Sequence, residues 1–162
     1  MSIDAARGLV SRYGHAIGLP ELTLDEDGYC GLSLGEGKAL HLQYAPEDEA
    51  LLVYAKAGSF DQDTAVEAMI AICMANVPWI GSPGVAVGAM PESGDVFVSC
   101  RVSVQSLDDV DFAGLLERMT NEIESWGNRI TALNAGAPYR GADGAAAAPP
   151  PAEPDGPGMI RA

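Results

Sequence analysis

The spacing of apolar positions changes period several times along the chain, and each change marks an element. Ile3, Ala6, Val10, Tyr13 and Ile17 recur at spacings of 3, 4, 3 and 4, with Leu9 and Ala16 beside them. This predicts an amphipathic helix over 2–17, stopped by Gly18-Leu19-Pro20. Four short strands are predicted next, at 21–25, 29–34, 38–44 and 50–57. Asp27-Gly28, Gly35-Glu36-Gly37 and Pro46-Glu47-Asp48-Glu49 supply the turns between them. Leu22 and Leu24, then Cys30, Leu32 and Leu34, then Leu40, Leu42 and Tyr44 alternate with polar neighbours, so the meander is apolar on one face.

The stretch from Ser59 to Ile80 has a different character. Its core, Ala65 to Val77, is apolar on every side except at Glu67 and Asn76, and a helix apolar all round requires cover all round. Val66, Ile70, Cys73 and Val77 form a bulky face suited to a sheet. Ala68, Ala71, Ile72 and Ala75 form a second face, small enough to let another backbone come close. A two-layer domain covers only one of these faces, so the alanine face predicts a seam with a second copy of the chain. The plainer alternative is that the alanines are good helix formers on a solvated surface. Ser59 and Gln62 have capping-box spacing, and Asp61 and Asp63 place negative charge at the start. The run is well short of the roughly 20 apolar residues that span a bilayer. Pro78 and Gly81-Ser82-Pro83-Gly84 end it.

A hairpin follows, with strands at 85–90 and 95–104 joined across Pro91-Glu92-Ser93-Gly94. Val96, Val98, Cys100, Val102 and Val104 hold one face of its second strand. Asp108, Asp109 and Asp111 open a last helix, whose apolar stripe runs from Phe112 through Leu116, Ile123 and Trp126 to Leu133. Gly127 inside that stripe is expected to mark a bend or an early end. From Ala135 onward the composition turns to Ala, Pro and Gly, too poor in apolar surface to offset its ordering entropy. The expected organisation is therefore one folded domain over 1–134 and a disordered tail over 135–162.

Charge narrows the classes of partner. Nine Lys and Arg against 23 Asp and Glu give a net charge of -14, which disfavours nucleic acid and anionic membranes. The opening MSIDAARGLV has no basic region followed by an apolar stretch, so a cytoplasmic location is expected. Cys30, Cys73 and Cys100 are widely spaced within apolar patterns and read as small core residues.

Candidate chemistry is sparse. His15 and His41 both fall on polar faces and read as surface residues. No Cys pair has CxxC spacing and no His pair has HxxxH spacing, so no metal site is expected. Asp25-Glu26-Asp27-Gly28 has its glycine too early for a calcium loop and reads as a tight turn. Gly31, Gly35 and Gly37 lie in a hairpin, not between a strand and a helix, and do not form a phosphate cradle. The expectation is a protein that is not an enzyme and uses no cofactor. What remains is apolar surface. Ile3, Leu9, Val10, Tyr13, Leu22 and Leu24 exceed what one small core is expected to bury, and exposed together they would bind a partner.

The order of helix, strands, apolar helix, hairpin and helix in an acidic chain of this size resembles the class I type III secretion chaperones, the Tir chaperone family. The local likeness lies in Gly18-Leu19-Pro20-Glu21-Leu22-Thr23-Leu24-Asp25 followed by Asp27-Gly28-Tyr29-Cys30, and in Leu51-Leu52-Val53-Tyr54-Ala55-Lys56-Ala57-Gly58. The resemblance implies an α+β fold with a curved antiparallel sheet in the order α-β-β-β-β-α-β-β-α. It implies a homodimer that binds the N-terminal region of a secreted effector in extended form, by strand pairing and by insertion of apolar side chains. Carried onto this chain, the effector role falls to Ile3, Leu9, Val10, Tyr13, Leu22, Leu24 and Leu32, and the dimer role to Ala68, Ala71, Ile72, Ala75 and Trp79. Trp79 has an alternative as a core plug. A YbjN-like regulatory protein of the same fold, with a folded partner, is the rival binding module. A small enzyme using the carboxylates of Asp25 to Asp27 is the rival from another class.

Overall fold

Alternation becomes sheet where turn chemistry closes it, and 3.6-residue periodicity becomes the helices that cover the sheet. The computed structural model describes residues 3–35, 37–77 and 84–138. The elements are α1 (Ile3–Ala16), β1 (Tyr29–Gly35), β2 (Lys38–Ala45), β3 (Ala50–Ser59), α2 (Ala65–Ala75), β4 (Ala86–Met90), β5 (Asp95–Ser103) and α3 (Asp109–Asn134). The five strands form one curved antiparallel sheet in the order β1-β2-β3-β5-β4. The expected α+β class with an antiparallel sheet is therefore what the chain adopts.

One predicted strand is absent. Residues 21–25 are not a strand, so the expected order loses its first β element. The physical reason is a competitor. Arg7 on α1 donates from Nε to the Leu24 carbonyl at 3.2 Å and from Nη2 to the Asp25 carbonyl at 2.7 Å. These acceptors are therefore not offered to a ladder, and the backbone contacts to β1 are the Asp25 N–H on the Tyr29 carbonyl and the Thr23 backbone on the Cys30 thiol.

The inner face of the sheet carries Leu40, Leu42, Leu51, Val53, Val96 and Val98, all buried, and α3 lies across it against β3 and β5. Trp126, Phe112, Met119 and Ile123 of α3 are buried there, and α1 packs on α3 through Tyr13, edge-on to Phe112 with ring centroids 5.5 Å apart. Arg12 adds a bidentate bond to Asp109 across the same junction. Two glycines let α3 settle onto β3. A Cβ on Gly127 would stand 3.1 Å from the Ala57 carbonyl, and one on Gly58 would stand 3.2 Å from Ile130. Gly127 thus marks close approach, and α3 continues past it to Asn134. Asp108 caps its start, accepting from the N–H groups of Val110 and Asp111. Its end is a Schellman motif: Gly136 sits at φ 81°, Ala137 N–H donates to the Ala132 carbonyl and Gly136 N–H to that of Leu133.

The start of α2 also differs from expectation. Ser59 ends β3 and its hydroxyl donates to Asp95, while Asp61 makes no side-chain cap. Asn134 does the work instead. Its Oδ1 accepts from the Asp61 N–H at 3.1 Å and the Thr64 hydroxyl at 2.9 Å, and its Nδ2 donates to the Ser59 carbonyl at 3.0 Å.

Candidate partner-binding surfaces

The two faces of α2 are placed the opposite way round from the sequence expectation. Ala68, Ala71, Ile72 and Ala75 are buried within the chain's own core, where small side chains bring the helix close to β4 and α3. The bulky residues are left outside: Val66 is 68% exposed and Ile70 50%, with Met69, Cys73 and Val77 also exposed. The four residues expected to form a seam with a second copy are thus core residues. Trp79, the fifth, lies outside the described residues. Ala65, Val66, Met69, Ile70, Cys73 and Met74 line a shallow apolar depression of about 480 Å³ along this outer face. Cys73 departs from the expected burial, whereas Cys30 and Cys100 are buried and desolvation raises the pKa of both thiols.

The seven residues assigned to effector contact are less available than expected. Leu9, Val10, Leu24 and Leu32 are fully packed in the core. Ile3, Tyr13 and Leu22 are partly buried against it. The core of a three-helix, five-strand domain absorbs more apolar residues than the sequence reading allowed, because α3 and α1 together cover the inner face.

The sheet has two edges of different character. At β1 the Tyr29 N–H and C=O point away from β2, where Asp25 meets both: its N–H donates to the Tyr29 carbonyl and its Oδ1 accepts from the Tyr29 N–H, each at 2.8 Å. Strand alternation then points the N–H and C=O of Gly31 and Ser33 the same way, with no partner from a described residue. At β4 the corresponding groups of Val87 are bonded to the side chain of Asn76.

The outer face of the sheet carries an aromatic row across β1, β2 and β3. His41 is half-buried, not a plain surface residue: it stacks on Tyr54 with centroids 5.0 Å apart, and its Nδ1 lies 2.7 Å from the Tyr29 hydroxyl. His15 is exposed, with Nδ1 2.8 Å from the Ser11 carbonyl. Among the described residues no cluster of three or more His, Cys, Asp or Glu is placed to hold a metal. No described helix is long and apolar enough to cross a membrane.

Residues 8–127 match the Tir chaperone protein (CesT) family, which is most of the chain. The chain belongs to that family. The fold agrees with chains of several solved complexes. A chain of the ExsC–ExsE complex superposes with a TM-score of 0.69 at 21% identity, covering 79% of this chain and 95% of that one. The Yersinia pestis type III secretion chaperone SycH, solved with a fragment of YscM2, gives a TM-score of 0.60 at 15% identity, covering 74% and 97%. The ExoT–SpcS complex from Pseudomonas aeruginosa gives 0.54 at 25% identity, covering 75% and 96%. A comparison with curated protein sequences finds no match. This CesT-family chain shares its fold with chains of those complexes, and Asn76 and Asn134, which secure α2, escaped the sequence reading. The available signal was an isolated asparagine at the end of each apolar run.

Proposed function

We propose that this chain is a type III secretion chaperone that binds the N-terminal region of a secreted effector in extended form and keeps it soluble. The observation that carries the reading is the match to the Tir chaperone family across residues 8–127. It acts by binding, without catalysis or cofactor, in the cytoplasm.

Two surfaces suit this role. The N–H and C=O groups of Gly31 and Ser33, unpaired among the described residues, suit addition of an extended strand, the mode in which backbone bonds supply affinity and alternate side chains supply specificity. Ile3, Tyr13 and Leu22, partly buried on α1 and the following loop, keep some apolar surface to offer a partner.

The chain works as a homodimer, and the outer face of α2 is the dimer contact. At a net charge of -14 two copies repel each other, so they meet best where charge is least. The α2 depression is lined by six uncharged residues. The seam therefore runs through Val66, Met69, Ile70 and Cys73, in place of the alanines.

The test is capture of the tagged full chain from its native cells, with mass spectrometry of proteins recovered in stoichiometric amount. One partner bound through its N-terminal region supports the reading. A folded metabolic or regulatory protein, or no partner, overturns it.

A further inference from the structure

β4 is an edge strand of five residues, and Val87 is its second position. Val87 faces Val98 of β5 without bonding it, so its N–H and C=O point outward from the sheet. There they meet one side chain. The Asn76 Nδ2 donates to the Val87 carbonyl at 2.8 Å, and the Val87 N–H donates to Asn76 Oδ1 at 3.1 Å. The same Nδ2 uses its second hydrogen on the Ile72 carbonyl at 2.9 Å, the last-turn carbonyl of α2. The amide thus offers Val87 the donor and acceptor pair that a residue of a neighbouring strand would offer, and every hydrogen it has to give is used.

We propose that Asn76 seals the β4 edge against strand pairing with a second copy of the chain. An open edge is a template for another chain, and proteins blunt such edges with charge, proline, bulges or cover. β4 carries no charged residue and no proline, since its sequence is Ala86-Val87-Gly88-Ala89-Met90. It is short and apolar, and the cover comes from the Asn76 amide. With Val87 capped, a second strand finds only the Ala89 groups open along β4 among the described residues, too few for a ladder, and pairing of two copies sheet to sheet is disfavoured. This inference does not depend on what the chain binds.

The experiment compares the full chain, Asn76→Ala, and Asn76→Ala combined with Ala89→Pro, by amide hydrogen exchange and by solution mass across a concentration series. Ala89 also turns its N–H outward, so proline there removes the donor a pairing strand would need while sparing the bonds to β5. Asn76→Ala is expected to accelerate exchange at Val87 about tenfold and to give association beyond that of the parent chain. Adding Ala89→Pro is expected to return the mass to that of the parent. Unchanged exchange and mass in Asn76→Ala would overturn the proposal. So would association that Ala89→Pro leaves in place, because it would arise from unfolding and not from strand pairing.

Discussion

The Thr64 hydroxyl donates to Asn134 Oδ1 at 2.9 Å, joining the start of α2 to the end of α3 across 70 residues of sequence. The same side chain holds Ser59 and Asp61, so one amide fixes the entire approach to α2. Removing it in Asn134→Ala leaves the Asp61 N–H and the Ser59 carbonyl to water, while the Thr64 hydroxyl keeps the Asp61 carbonyl at 3.1 Å. The expected loss is about 0.5–1.5 kcal/mol, measured as the shift in urea midpoint multiplied by the slope. Ending the chain at residue 138 keeps Asn134 and its Schellman motif, and is expected to leave that midpoint nearly unchanged.

Ile70 and Ala71 are neighbours with opposite fates. Ala71 is fully buried, so Ala71→Glu sets a carboxylate in the core and is expected to cost about 3–5 kcal/mol or to unfold the chain. Ile70 is half-exposed, so Ile70→Glu is expected to leave a folded monomer with the parent's circular dichroism. Sedimentation and thermal melts of the two variants distinguish these outcomes. A folded monomer from Ala71→Glu would restore the alanine seam.

Thiol labelling reads the same face. Cys73 is exposed while Cys30 and Cys100 are buried, with thiol pKa values pushed up by desolvation. One thiol per native chain is expected to react quickly in dilute protein. As concentration rises and the α2 faces meet, that reaction is expected to slow.

Two surface carboxylates give the chain an acid-sensitive term. Asp95 is held below the ordinary carboxylate range first by Lys56, at 2.6 Å, and then by the Ser59 hydroxyl; Asp109 is held down by Arg12. A depressed folded pKa stabilises above the unfolded value, near 3.9, and the stabilisation is lost as pH falls through the folded value. Stability is therefore expected to fall on acidification below about pH 4. In Asp95→Asn and Asp109→Asn the fall is shallower, which urea midpoints across that range would show.

What was legible in the sequence was direction along the chain. Alternation at Leu40, Leu42 and Tyr44 and at Val96, Val98 and Cys100 identifies the inner face of β2 and β5, because period 2 leaves no choice of side. The faces of α2 were not legible, since both are apolar and periodicity then carries no direction. Size decided it: Ala68, Ala71 and Ala75 allow close approach to β4 and α3, which Val66 and Ile70 would prevent. The expectation that Leu9, Val10, Leu24 and Leu32 are exposed failed for a related reason, as the amount of core α1 and α3 close over is a tertiary property. Arg7 and Asn134 act at separations of 17 to 75 residues, which local pattern does not encode.

The central claim is that the chain holds a partner's N-terminal segment extended. The most direct measurement is limited proteolysis, read by mass spectrometry, of the complex captured with the full chain. The account predicts one contiguous stretch at the partner's N-terminus protected only while the chain is bound, and cut freely once released. Protection of a folded domain of the partner, or equal cleavage with and without the chain, would contradict it.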